Sequence, residues 1–206
     1  MIYDISPRID EQLRVWPGDT PPTRDILCSI DGGDNLTLST LHTTVHLGAH
    51  VDAPSHYGAD APAIDERSLD YYIGRCRVIR VKAKRGTRVT PRMIKTFIDA
   101  PRLLLATGTY PNPAKFNRSF AALSPDLIAT LHESGVILVG IDTPSVDLFE
   151  SRDLPAHKAC LAHDMAILEG IVLRDVPEGV YELIALPLKL AGFDASPVRA
   201  VLRSLE

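Results

Sequence analysis

"LTLSTLHTTVHLGAHVDAP", residues 36–54, is the stretch whose period decides the fold. On a helix, His46 and His50 would meet one turn apart while Asp52 swung away. The residue types argue for a strand instead. Thr43, Thr44, Val45 and Val51 are β-branched, Gly48 weakens a helix interior, and Pro54 halts a ladder. The expectation is therefore a strand running to Asp52. Residues two apart in a strand share a face, so His46, Gly48, His50 and Asp52 would stand in a row, with no side chain at Gly48 to fill the gap. Two imidazoles and a carboxylate suit zinc or a similar transition ion, whereas calcium and magnesium prefer oxygen shells. The competing reading is a polar strand face turned to solvent.

The flanking sequence extends the strand reading into an α/β pattern. The first forty residues, with "WPGDTPPTRD" and "DGGDN", read as ordered loop and turns. "RCRVIRVKA", "RLLLATG" and "VILVGID" read as strands, the last two short and apolar. Thr90–Pro91 and Ser124–Pro125 carry helix-start signals before "RMIKTFIDA" and "DLIATLHESG", with Gly135 as the stop. "PAHKACLAHDMA" suits a helix; "GVYELIALPLKL" and "ASPVRAVL" close the chain as strands. Helices and strands that alternate after an all-β start predict an α/β fold with a mixed sheet, expected as a single domain over residues 1–206.

Composition bounds the function. The apolar fraction of 45% and charged fraction of 23% are those of an ordinary globular protein. A net charge of −4 gives no electrostatic footprint for nucleic acid or an anionic membrane. No apolar run approaches a membrane span, and "MIYDISPRID" lacks the pattern of a signal peptide. Cys28, Cys76 and Cys160 are scattered and odd in number, which fits free thiols in a reducing cytoplasm.

A metal on one strand needs further donors. "AHKACLAHDMAILEG" offers His157, Cys160, His163, Asp164 and Glu169. On a helix, His157, Cys160 and Asp164 would share a face, although a lone cysteine there is usually core. Glu169 lies inside an apolar run, where an unpaired carboxylate is costly, so it is a better ligand candidate than most acids here. His42 and His132 read as surface residues, and Asp142 as a turn cap. His56 follows Pro54 and so falls beyond the strand end. It can be a fourth ligand, an acid–base residue or a surface histidine on a turn, and spacing leaves the three open.

The motif "HLGAHVDAPSHY" resembles the signature of the cyclase-like metal hydrolases. "WPGDTP", "GIDTPS", "AHDMAILEGIVLRDVPEGVYELIALPLKL" and "DASPVRAVLR" are similar to the bacterial kynurenine formamidases within that family, over essentially the whole chain. The resemblance implies a swivelling β/β/α fold, a homodimer, and a site for two divalent ions, usually zinc. Carried over by motif position, His46, His50 and Asp52 bind the first ion. Asp52 bridges to the second, Glu169 touches both, and His157 completes the second. Cys160 and His163 drop out. His56 becomes a proton donor and acceptor, and Trp16 lines the substrate pocket, where the residue alone would read as a loop anchor.

The implied reaction is hydrolysis of N-formyl-L-kynurenine to L-kynurenine and formate. An aryl amine is a very poor leaving group as an anion, so it needs a proton as the C–N bond breaks, and His56 is the candidate donor. No Gly-x-Ser-x-Gly elbow is present for a serine mechanism. Two rivals remain: a hydrolase of this fold acting on another linear or cyclic amide, and a metal-binding domain without turnover, whose closed site would leave no spare histidine.

Overall fold

The long apolar runs become the centre of a mixed sheet in the computed structural model, which describes residues 1–205. In chain order the strands are β1 (Ile2–Asp4), β2 (Thr23–Cys28), β3 (Leu38–His42), β4 (His50–Asp52), β5 (Ile73–Arg80), β6 (Arg88–Val89), β7 (Arg102–Ala106), β8 (Ala122–Leu123), β9 (Leu138–Ile141), β10 (Ala166–Glu169), β11 (Gly179–Ile184), β12 (Ala195–Pro197) and β13 (Val201–Ser204). Nine of them form one sheet in the order β1-β13-β11-β5-β7-β9-β10-β4-β12. The middle four, β5, β7, β9 and β10, run parallel. Every residue of β7, β9 and β10 is buried, as expected for parallel strands covered on both faces. Antiparallel strands extend the sheet on either side.

Alternation along the central strands divides the interior into two cores. Leu104, Leu138 and Leu168 point into one, with Ile5, Tyr72, Leu183 and Leu202. Leu103, Leu105, Val139 and Ile167 point into the other. That second face is covered by α1 (Pro125–Glu133), through Leu127, Ile128 and Leu131, and by α2 (Pro155–Ala162), through Ala156 and Cys160. The mixed α/β fold stands as expected. So does the start of α1, where the Leu127 N–H donates to the Ser124 hydroxyl.

Three local expectations change. Residues 36–52 are not one strand. β3 pairs only with β2, in a two-stranded arm, and the chain leaves the ladder before re-entering the main sheet at His50. Gly48 adds a break of its own, because its φ of 57° lies in the left-handed region that strand residues do not adopt. The arm also replaces part of what reads as loop in the first forty residues. Finally, residues 91–99 make only a 3-10 turn, Pro91–Met93, because Thr90 supplies no capping hydrogen bond and Phe97 finds nothing to pack on, remaining 84% exposed.

Candidate metal centre

Strand register assembles the centre. β4 lies between β10 and β12, with His50 directly opposite Glu169 and Asp52 opposite Ala195. Cross-strand partners share a face, and Asp52, two residues on, points the same way as His50. His46 reaches the same spot from the bend before β4. The bend is tight: a Cβ on Gly170, just after β10, would stand 2.0 Å from the Gly48 carbonyl oxygen, so only glycine fits there. His157 arrives from the first turn of α2, which follows Leu154, a residue in the left-handed conformation, φ 45°. His56 ends a 3-10 turn, Pro54–His56.

Asp52 is the hub. Its Oδ1 lies 3.2 Å from His46 Nδ1 and 3.5 Å from His50 Nε2, and its Oδ2 lies 3.4 Å from His157 Nε2. Glu169 closes the ring, 3.4 Å from His50 Nε2 and 3.6 Å from His157 Nε2. Donor atoms within 4.8 Å of one another fall into two overlapping sets: His50, Asp52 and Glu169, and His46, Asp52 and His56. Asp52 belongs to both. His46 and His50 both approach Asp52 Oδ1, and His46 also stands beside His56.

The residues fit a cation. Asp52 is 1% exposed, and neither carboxylate oxygen has a hydrogen-bond partner. Its approaches to the three imidazoles lack hydrogen-bond geometry. A buried, unsatisfied carboxylate costs several kcal/mol, and a divalent ion among nitrogen and oxygen donors removes that cost. The histidines are also oriented for ligation. The Nδ1–H of His50 donates to the Gly48 carbonyl at 2.9 Å, leaving Nε2 toward Asp52 and Glu169. The Nδ1–H of His157 donates to Asp147 at 2.9 Å, leaving its Nε2 toward the same pair. Asp147 is itself held by Arg88 and by the Ala156 and His157 backbone N–H groups. Outer partners of this kind fix the tautomer of metal-binding histidines.

The electrostatics agree. Burial alone would raise the Asp52 pKa, but the imidazoles of His157, His46 and His50 outweigh it and hold the carboxyl well below its usual range. Burial opposes a charge on His46, yet Asp52 and Asp194 raise its pKa to about 9. For His157, Asp147 and Asp52 overcome burial and raise it to about 10. Converging carboxylates thus pull protons onto the two rings, by the same negative field that attracts a metal ion.

Beside this cluster lies a cavity of about 550 Å³, lined by His46, His50, His56, His157 and Glu169 on one side and by Trp16, Tyr110 and Phe116 on the other. Trp16 is anchored by stacking on Phe149 at 4.8 Å, and it faces the cavity. Cys160 and His163 stay out of the cluster: Cys160 is buried in the apolar core under α2, and the His163 ring stacks on His132. Asp164 follows the end of α2 and pairs with Arg67 and Tyr71. Asp142 ties strand ends together, accepting from Thr107 and Gly108.

Two residues at the centre escaped the sequence reading. Asp147 contacts His157, and Asp194 contacts His46 at 3.0 Å and His56 at 3.3 Å. Asp194 opens the quoted motif "DASPVRAVLR", whereas Asp147 lies two residues beyond "GIDTPS", and no spacing rule links either acid to its histidine.

Residues 3–148 match the model of a protein family described as putative cyclase. A potential metal-dependent hydrolase with cyclase activity is 28% identical, with a TM-score of 0.82 over 98% of this chain and 96% of that one. A predicted metal-dependent hydrolase from Bacillus stearothermophilus is also 28% identical, with a TM-score of 0.81 over 98% and 97%. Isatin hydrolase A from Labrenzia aggregata shares the fold at 23% identity, with a TM-score of 0.84 over 98% and 93%.

Proposed function

This chain belongs to the cyclase family, and from that premise we propose that it is a metal-dependent amide hydrolase that converts N-formyl-L-kynurenine to L-kynurenine and formate. The observation that carries the metal-dependent part is the buried Asp52 carboxylate with two orphaned oxygens among three oriented imidazoles. His46, His50, Asp52, His157 and Glu169 hold two divalent ions in this reading, and the mixed nitrogen and oxygen donors favour zinc. Zinc bound there supplies Lewis-acid polarisation of the formyl oxygen and lowers the pKa of water.

The chain's own groups do the rest. His56 borders the cavity and is exposed, so it can take a proton from the attacking water and pass it to the anilide nitrogen as the C–N bond breaks. One water is consumed, the hydroxyl goes to the formyl carbon, and the amine leaves neutral. Trp16 offers an indole face to the substrate's aromatic ring, a contact worth about 1 kcal/mol beyond burial. Arg14 and Asp19, also in the lining, flank Trp16 with opposite charges that match the zwitterionic amino-acid end of a kynurenine.

The shared fold with an isatin hydrolase makes a cyclic aryl amide the second reading. The deciding experiment is a spectrophotometric assay of both substrates with zinc-loaded protein. Release of the aryl amine from N-formyl-L-kynurenine, abolished by chelation and restored by zinc, is the expected result. Ring opening of isatin without formamide turnover would assign the site to cyclic amides.

A further inference from the structure

We propose that Asp194 is a positioning residue that sets the tautomers of His46 and His56 together through one carboxylate oxygen. Asp194 Oδ2 lies 3.0 Å from His46 Nε2 and 3.3 Å from His56 Nδ1. An ionised carboxylate only accepts, so both contacts require N–H groups on the rings. His46 is then protonated at Nε2, and its Nδ1 is left to face Asp52 Oδ1 at 3.2 Å. His56 is protonated at Nδ1, and its Nε2 is left as the nitrogen that exchanges protons. The assignment rests on the reading of the site given above, in which His46 is a ligand and His56 carries the proton.

The backbone explains why Asp194 can do this. β12 pairs with β4 so that Ala195 stands opposite Asp52. One residue out, the Ala53 N–H donates to the Asp194 carbonyl at 2.9 Å. The ladder thus delivers Asp194 to the mouth of the site, between the bend that carries His46 and the turn that carries His56. The two rings stand 4.3 Å apart, centroid to centroid, close enough for one oxygen to serve both. His50 and His157 have separate pinning partners, Gly48 and Asp147. Among the described residues, Asp194 is the carboxylate hydrogen-bonded to both a candidate ligand and the candidate proton carrier.

The test is a ¹⁵N–¹H correlation spectrum of the histidine side chains in zinc-loaded protein, wild type beside Asp194→Asn. The wild type should show His56 as the Nδ1–H tautomer. The variant should shift His56 toward Nε2–H, the form that dominates in water, while His50, held by a backbone carbonyl, stays unchanged. Zinc affinity of the stripped variant, measured by dye competition, should fall about 10–100-fold, the usual effect of losing such a partner. An unchanged His56 tautomer in the variant, or zinc affinity within about two-fold of wild type, would overturn the proposal. Should His50 also move, Asp194→Glu becomes the deciding variant: it must return His56 to Nδ1–H, and failure to do so counts against the proposal. Neither readout involves substrate, so the outcome is independent of whether N-formyl-L-kynurenine is hydrolysed.

Discussion

His50 and His56 sit in one short stretch and yet differ in every physical respect that matters to chemistry. His50 is 3% exposed, pinned at Nδ1 and aimed at two carboxylates, while His56 opens onto the cavity. His50→Ala should therefore lose metal as well as activity, because it removes a donor directly. His56→Ala should retain both ions and lose about 10²–10⁴-fold in kcat. Elemental analysis beside kcat separates the two; a metal-depleted His56 variant and a fully loaded His50 variant would reverse the assignment. Trp16→Ala should raise KM more than it lowers kcat, because the indole touches a ring remote from the formyl carbon in ground and transition states alike. An unchanged KM would leave Trp16 as an anchor on Phe149 alone. Proton linkage supplies a further expectation. In metal-free protein His46 and His157 keep their protons up to about 9 and about 10, above the ordinary imidazole value of 6.5. Zinc uptake near neutral pH should thus release protons, and affinity should climb with pH until both rings are neutral. The raised values also stabilise the metal-free fold fully below 6.5, and that contribution is lost as pH rises through about 9 to 10. Calorimetric titration in buffers of different ionisation enthalpy reads the released protons; none released would contradict protonated rings.

At the scale of elements, the centre depends on β4 lying against β10 with His50 opposite Glu169. Gly170 lets the two segments close there. Gly170→Ala should destabilise the protein by about 3 kcal/mol or more, combining positive φ with collision against the Gly48 carbonyl. It should also weaken zinc binding, although the residue touches no donor side chain; denaturant unfolding and dye competition report the two effects, and a variant unchanged in both would remove the close approach from the account. The same pair of glycines shows what was legible in the sequence. Period-two spacing correctly joined His50 to Asp52, and the apolar runs of β7 and β9 announced buried strands, whereas β10 begins inside the segment that reads as helix. Spacing failed at His46, which shares the parity but reaches the centre through a bend, because a left-handed glycine looks the same in sequence as one inside a strand. Glu169 was visible as a carboxylate inside an apolar run. Asp147 and Asp194 were not, because their partners come together only when α2 docks and β12 pairs with β4.

Across the whole molecule, one feature stands outside both cores. The β2–β3 arm is almost wholly exposed, and Ile26 and Leu41 lie on the same face of it. An isolated two-stranded ribbon is marginal in water, and exposed apolar residues on it call for a cover. We propose that the cover is a second copy of this chain, with the arm packed on it in a homodimer. Wild-type protein should sediment as a dimer, and the double substitution Ile26→Asp, Leu41→Asp should shift it to monomer; a monomeric wild type would remove the dimer from the account. No helix among the described residues is long and apolar enough to cross a membrane. The fold thus delivers strand ends, one helix start and one turn to a single buried carboxylate, with a cavity on its open side, and the central claim is that this arrangement hydrolyses an aryl formamide only with metal bound. It is tested most directly by measuring turnover of N-formyl-L-kynurenine by chelator-stripped protein as zinc is added back. Activity should be absent at the start, rise with added zinc and level off once the site is filled. Full turnover by protein shown by elemental analysis to be free of metal would contradict it.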